Sequence, residues 1–179
     1  MINFDIKTER LNLLTPKQED KFRFYELMSN NNLTEFLTWE AHKDVLTTEK
    51  VLISLKLAQE SDKGYHWAIH FKNQIVGLIS LIDVKRTIRT WTINKAELSY
   101  WIAKDFQGKG FATEASQAVI DFGFKELKLH KIIIAHAKEN YQSSRICEKL
   151  KFEQFSYEKD AFLKDKKWHD LIWYQRINK

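Results

Sequence analysis

The chain carries a single cysteine, Cys147, and a single proline, Pro16, in 179 residues. One cysteine closes no intramolecular disulfide and supplies no cysteine-rich zinc site, which excludes a disulfide scaffold and fits a reducing, cytoplasmic compartment. With only five glycines besides, no Gly/Ser-rich or Pro-rich linker divides the sequence, and no low-complexity tract or fixed-period repeat interrupts it. Also missing is any apolar run of the roughly 18 residues that a membrane helix needs. The opening MINFDIKTER has neither the basic leader nor the apolar stretch of a signal peptide. The expectation is one soluble cytoplasmic domain over residues 1–179 with no membrane association. Charge of one sign is in small excess: 29 Lys plus Arg against 24 Asp plus Glu leave +5, spread along the chain. Such a balance permits an acidic partner such as the phosphates of a cofactor without demanding one, a solvated lysine-rich surface being the simpler explanation, and without a basic-aromatic motif no direct nucleic-acid binding is expected.

What is present is enough apolar and aromatic residue, 44% and 13%, for one substantial core. Thr15-Pro16 with Gln18 predicts a helix from about Pro16 to Asn30. Thr47 and Thr48 open a second, in which Val51, Leu52, Leu55 and Ala58 recur at helical spacing up to Gly64. The period then becomes two: Tyr65, Trp67, Ile69 and Phe71 share one face, and a turn at Lys72-Asn73 leads into IVGLISLIDV, which predicts a hairpin. A polar loop from Arg86 to Lys95 precedes AELSYWIA, a third core strand. Ala112, Ala115, Val119, Phe122 and Phe124 mark a helix after Gly110, KIIIAHA a buried strand, and SSRICEKLKF a short helix. Two last strands, Gln154 to Lys159 and Trp168 to Arg176, flank a charged turn at Lys164 to Lys167. The pattern is that of a mixed α/β sheet domain.

Between the third core strand and the helix lies Gln107-Gly108-Lys109-Gly110-Phe111-Ala112. A glycine-bearing turn at a helix N-terminus presents unpaired N–H groups and the positive end of the helix dipole, and glycine lets a phosphate approach the backbone. GxxxxGK[ST] and GxGxxG are both absent, so neither a nucleoside-triphosphate loop nor a dinucleotide fingerprint is present. By itself the turn fits either a pyrophosphate cradle or a plain strand-to-helix connection.

In context this segment resembles the GNAT superfamily, whose motif is Gln or Arg, two residues, Gly, one residue, then Gly or Ala. Gln107, Gly110 and Ala112 match it in register. TERLNLL, AELSYWIAKDFQGKGFATEA, NYQSSRICEKLKF and WHDLIWY are similar to the branch that acetylates ribosomal proteins at N-terminal alanine or serine, and the likeness spans nearly the whole chain. It implies a single GNAT-like α/β domain with a mixed, mostly antiparallel sheet of about six or seven strands flanked by about four helices. The implied activity is acetyl transfer from acetyl-CoA, without a metal, to a primary amine, foremost the N-terminal amine of a ribosomal or other protein. Two alternatives stay open: a small amine acceptor such as a polyamine, an aminoglycoside or a toxic peptide-nucleotide, for which Glu35, Glu40 and Asp44 are the only acidic cluster, and a CoA-binding module without catalysis. A homodimer is compatible with either.

Carried over by residue, the resemblance implies that Trp101 and Ile102 offer backbone groups to pantetheine, that Gln107, Gly108, Lys109, Gly110, Phe111, Ala112 and Thr113 wrap the pyrophosphate, and that Asn140 and Ser143 flank the thioester. A strand edge can pair with pantetheine amides as with another strand, and an N–H near Ile102 can stabilise a developing oxyanion. A carboxylate, directly or through water, must take the proton of the amine. Glu97 is the candidate base, on the strand face shared with Ser99 and Trp101, or else a strand-end carboxylate. Ser143 is the candidate general acid or a helix N-cap, and both can hold. Trp39 either lines the acceptor site or packs between helices. Asp160 is the one acid of the late hairpin that could contribute. Lys151 stands where the family usually has Gly, and Cys147 where many relatives have a tyrosine acid; its helical spacing with Ile146 and Leu150 suits core packing. His66 and His70, four apart on an alternating strand, read as packed histidines rather than metal ligands.

Overall fold

The structure, a computed structural model, describes residues 3–179. Eight strands form one sheet: β1 Ile6–Lys7, β2 Leu11–Leu14, β3 Tyr65–Phe71, β4 Gln74–Ile88, β5 Trp91–Ile102, β6 Lys131–Ala137, β7 Glu153–Lys164 and β8 Lys167–Ile177. Four α-helices flank it: α1 Lys21–Met28, α2 Val45–Glu60, α3 Phe111–Lys125 and α4 Tyr141–Lys149. The strand order is β1-β2-β3-β4-β5-β6-β8-β7, and every pairing is antiparallel except β5 with β6. The mixed, mostly antiparallel sheet is as the sequence implies, with two strands more than its residues alone reveal, β1 and β2.

The two faces of the sheet carry two cores. Leu11, Leu13, Trp67, Ile69, Ile79, Leu81, Leu98 and Ile132 face α3, which buries Phe111, Ala115, Val119 and Ile120 against them. On the opposite face Ala68, Ile75, Leu78 and Trp101 pack on Phe24 and Met28 of α1 and Leu52 of α2. Apolar burial at roughly 25 cal/mol per Å² is what holds both layers to the sheet.

Several boundaries differ from the expectations. The first helix does not start at Thr15-Pro16. Asp20 accepts the Lys17 backbone N–H at 2.8 Å and closes a 3₁₀ turn, Gln18–Asp20, from which α1 continues. The second starts earlier than Thr47, because Asp44 is its N-cap and accepts the Thr47 N–H at 2.7 Å. The loop expected from Arg86 to Lys95 is mostly strand, since Lys85 pairs with Lys95 and Ile88 with Trp91 across the β4–β5 hairpin. Both faces of this ribbon lie outside the core, so polar residues line it and the apolar alternation that signals a strand is lost.

Candidate functional site

Strands β5 and β6 run parallel and pair over only three residues, Lys95 with Lys131, Ala96 with Ile132 and Glu97 with Ile133. Beyond that point β5 continues to Ile102 on β4 alone, and β6 continues to Ala137 on β8 alone. The sheet therefore opens into a wedge after Glu97, and the β5 edge from Leu98 to Ile102 faces it without a strand partner. Gly77 allows β4 to lie close against this segment: a Cβ there would stand 2.3 Å from the Trp101 carbonyl oxygen.

The segment Gln107 to Thr113 caps the wedge. Gly108 and Gly110 have φ of +72° and +81°, the left-handed region that glycine enters without steric cost, and Gly110 is the N-cap of α3. Among the described residues, no group accepts from the backbone N–H of Gly108, Lys109, Gly110, Phe111, Ala112 or Thr113. Six free donors at the positive end of a 15-residue helix could hold an anion such as a pyrophosphate. Side chains in the segment serve the turn instead. Gln107 donates its carboxamide to the Ile102 carbonyl at 2.9 Å, Lys109 reaches the Asp105 carbonyl at 2.7 Å, and Phe111 is buried against Phe71.

Asn140, not Ser143, is the N-cap of α4: its side chain accepts the Ser143 N–H at 3.1 Å. The Ser143 hydroxyl is thus left for another partner, the Tyr100 phenol at 2.7 Å. Tyr100 was not singled out from sequence, although alternation along β5 puts it on the face opposite Glu97, Ser99 and Trp101. Burial raises the phenol above the ordinary tyrosine range, against a smaller opposing effect of the Ser143 bond. Cys147, one turn further along α4, is fully buried and its thiol is pushed up to about 12 by that burial, which fits a packed side chain and not a nucleophile.

Glu97 lies on the other face of β5, half-buried, in a shallow cavity with Asp83, Lys85, Lys95, Ile133 and Trp173. Desolvation, then the neighbouring Asp83 charge, raise its carboxyl above the ordinary range, with Lys95 opposing. Glu97 and Ser143 are accordingly not in contact; they stand on opposite faces of the strand that borders the wedge. On the Glu97 face, Trp39 meets Trp101 edge to face with centroids 6.5 Å apart. The loop carrying Trp39 is held from the late hairpin by Lys164, whose ammonium donates to the carbonyls of Thr34, Leu37 and Trp39. Asp160, in a bulge of β7, is exposed, and only its backbone N–H is engaged, with Asp170. Of the acidic cluster, Asp44 is consumed by the α2 cap, while Glu35 and Glu40 remain exposed. His66 is bonded to Ser80 at 2.9 Å, and among the described residues no group of three or more His, Cys, Asp or Glu is arranged to hold a metal.

A strand edge beside a wedge, with free N–H groups at a helix N-terminus next to it, is an arrangement that suits a CoA-dependent acyltransferase. The sequence matches the acetyltransferase (GNAT) domain over residues 10–153, and the chain belongs to that family: it is an acetyl-CoA-dependent N-acetyltransferase. It is 26% identical over 171 residues, covering 94% of the chain and 91% of the relative, to "Putative ribosomal N-acetyltransferase YdaF" of Bacillus subtilis. It is 25% identical, over 78% of the chain and 71% of the relative, to spermidine N(1)-acetyltransferase of Escherichia coli. A solved structure of RimL, a ribosomal L7/L12 alpha-N-protein acetyltransferase in complex with coenzyme A, superposes with a TM-score of 0.89 over 97% of both chains at 20% identity, which establishes the shared fold.

Proposed function

We propose that the protein acetylates the N-terminal amine of a ribosomal or other protein in the cytoplasm, with residues 1–179 acting as one catalytic domain. The observation that carries the mechanism is the placement of Glu97 and the Tyr100–Ser143 pair on opposite sides of the open β5 edge. Acetyl-CoA supplies the acetyl group as an activated thioester. The backbone of Trp101 and Ile102 holds the pantetheine arm, Gln107 to Thr113 hold the pyrophosphate, and Asn140 fixes the turn that presents Ser143. A neutral amine entering on the Trp39 side forms the new C–N bond as the C–S bond breaks. Glu97, directly or through one water, takes the proton that the amine sheds, and the raised affinity of its carboxyl for protons suits that task. On the other face Ser143, bonded to Tyr100, returns a proton to the leaving sulfur.

The acceptor assignment rests on the near full-length likeness to a relative named for ribosomal acetylation and on the chemistry of the acceptor side. A polyamine demands several converging carboxylates, and the structure leaves Glu35 and Glu40 exposed while Asp44 caps a helix. In the same loop the carbonyls that could receive a cation already bind the chain's own Lys164.

The test is release of CoA thiol from acetyl-CoA across peptides of ribosomal N-termini beginning with Ala or Ser, polyamines and aminoglycosides. Peptides are expected to be turned over, and Glu97→Gln and Ser143→Ala to lower kcat by roughly 10²-fold or more each. Acetylation of polyamines but no peptide, or full activity of both variants, contradicts the reading. Binding of acetyl-CoA without turnover of any amine would identify a non-catalytic module.

A further inference from the structure

The segment Thr8-Glu9-Arg10-Leu11 lies far in sequence from the pyrophosphate cradle, yet its side chains close on it. Glu114, in the first turn of α3, accepts four donors: the Thr8 hydroxyl at 2.6 Å, the Arg10 backbone N–H at 2.9 Å, Arg10 Nε at 2.7 Å and Arg10 Nη2 at 2.6 Å. The remaining arm of the guanidinium, Nη1, donates to the Lys109 carbonyl at 2.9 Å. The same planar group rests on the ring of Phe111, 4.9 Å from its centroid. One arginine therefore ties the loop to the helix that follows it.

We infer that Arg10 is the positioning residue of the donor site: it presents the Gly110 N–H to the pyrophosphate and neutralises Glu114, which would otherwise repel it. In a trans peptide the carbonyl and the next N–H point to opposite sides. With the Lys109 carbonyl held by Arg10, the Gly110 N–H is turned away from Arg10 and toward the open side of the cradle. Gly110 itself lies close to this arginine, since a Cβ there would stand 3.3 Å from Nη2. The charge argument is independent of this one. A carboxylate in the first turn of a helix that binds an anion works against the helix dipole's attraction for that anion. Burial would raise the Glu114 carboxyl, but the bonds from Thr8 and Arg10 more than reverse this and hold it below the ordinary range, so it is ionised and needs its cation. Lysine cannot replace the arrangement, because a single ammonium lacks the planar fork that reaches a carboxylate and a carbonyl at once.

This inference rests on Gln107 to Thr113 being the pyrophosphate cradle, and the test separates the two. Binding of acetyl-CoA and of S-acetylpantetheine, which has no pyrophosphate, is measured by calorimetry and by competition, alongside thermal melting to confirm folding. Arg10→Met is expected to weaken acetyl-CoA roughly tenfold or more, through the lost preorganisation of the loop, and to leave S-acetylpantetheine within about twofold. Arg10→Lys is expected to fall between wild type and Arg10→Met for acetyl-CoA, and carries the test if Arg10→Met does not fold. Equal weakening of both ligands would reduce Arg10 to a general structural role, and unchanged acetyl-CoA affinity would remove the role altogether; either overturns the inference. If wild type binds acetyl-CoA and Gly110→Asp does so equally well, the cradle itself is elsewhere and this inference falls with it.

Discussion

Glu97 holds a proton to higher pH than an exposed glutamate because the cavity strips it of water and Asp83 adds a second negative charge. The folded protein binds this proton more tightly than the unfolded chain, so ionising Glu97 costs folding free energy. The cost is absent below the ordinary carboxylate pKa, grows as pH rises through the interval up to the raised value, and is complete above it. Glu97→Gln is therefore expected to gain stability relative to wild type as pH rises from the ordinary carboxylate range through the raised value, read as urea midpoints. If Glu97 is the base, kcat of the wild type also climbs with pH through that raised value and the variant's profile loses this limb. A relative stability that does not move with pH would show the carboxyl to be unperturbed. At the same scale the partner of Ser143 escaped the sequence because a hydroxyl pair separated by 43 positions has no local pattern; only the alternation of β5 hints that Tyr100 looks the other way from Glu97.

Among the elements, β5, β6 and α3 were legible because periodic burial repeats within each of them, and β3 and β4 because their apolar runs are buried on both faces. The strands β1 and β2, two and four residues long, are too short for any period to register, and the tip of the β4–β5 hairpin has no buried face to reveal one. The glycine turn before α3 was legible; its brace was not, since Arg10 and Glu114 meet across 104 positions. The end of α4 shows why a resemblance can carry physical content. Lys151 has φ of +55°, just past the C-cap Leu150, and its neighbour Phe152 donates to the Cys147 carbonyl at 2.9 Å, the hydrogen bond of a left-handed helix stop. The family's usual glycine relieves the strain that a Cβ meets there. Lys151→Gly is expected to stabilise the protein by about 1 kcal/mol, a rise in Tm of roughly 2–4 °C for a chain of this size. A lowered Tm would mean that the flexibility gained by the unfolded chain outweighs the relief.

Over the whole molecule, the proposed acceptor side is assembled from parts that do not share an element. The α1–α2 loop brings Trp39, the late β7–β8 hairpin brings Lys164, and the ammonium of the second fixes the carbonyls of the first. Hydrogen bonds to a charged donor contribute roughly 1.5–3 kcal/mol. Removing the charge while keeping the stem, as in Lys164→Met, should let the loop detach without disturbing the cradle across the wedge. The expected signature is a KM for the amine raised roughly tenfold, the equivalent of 1.4 kcal/mol, with the KM for acetyl-CoA unchanged. Parallel rises in both constants would show the two halves of the site to be one mechanical unit.

The β5 edge beyond Glu97 has a consequence for how fast such an enzyme can cycle. If pantetheine pairs with the backbone of this edge, as proposed, the amides recognised there are the same before and after the acetyl group has gone. Binding strength spent there is uniform, shared by the incoming donor and the spent carrier, so free CoA competes for the wedge on nearly equal terms. On that reading turnover is expected to follow the ratio of acetylated to free CoA, with departure of the spent carrier setting the pace once chemistry is fast.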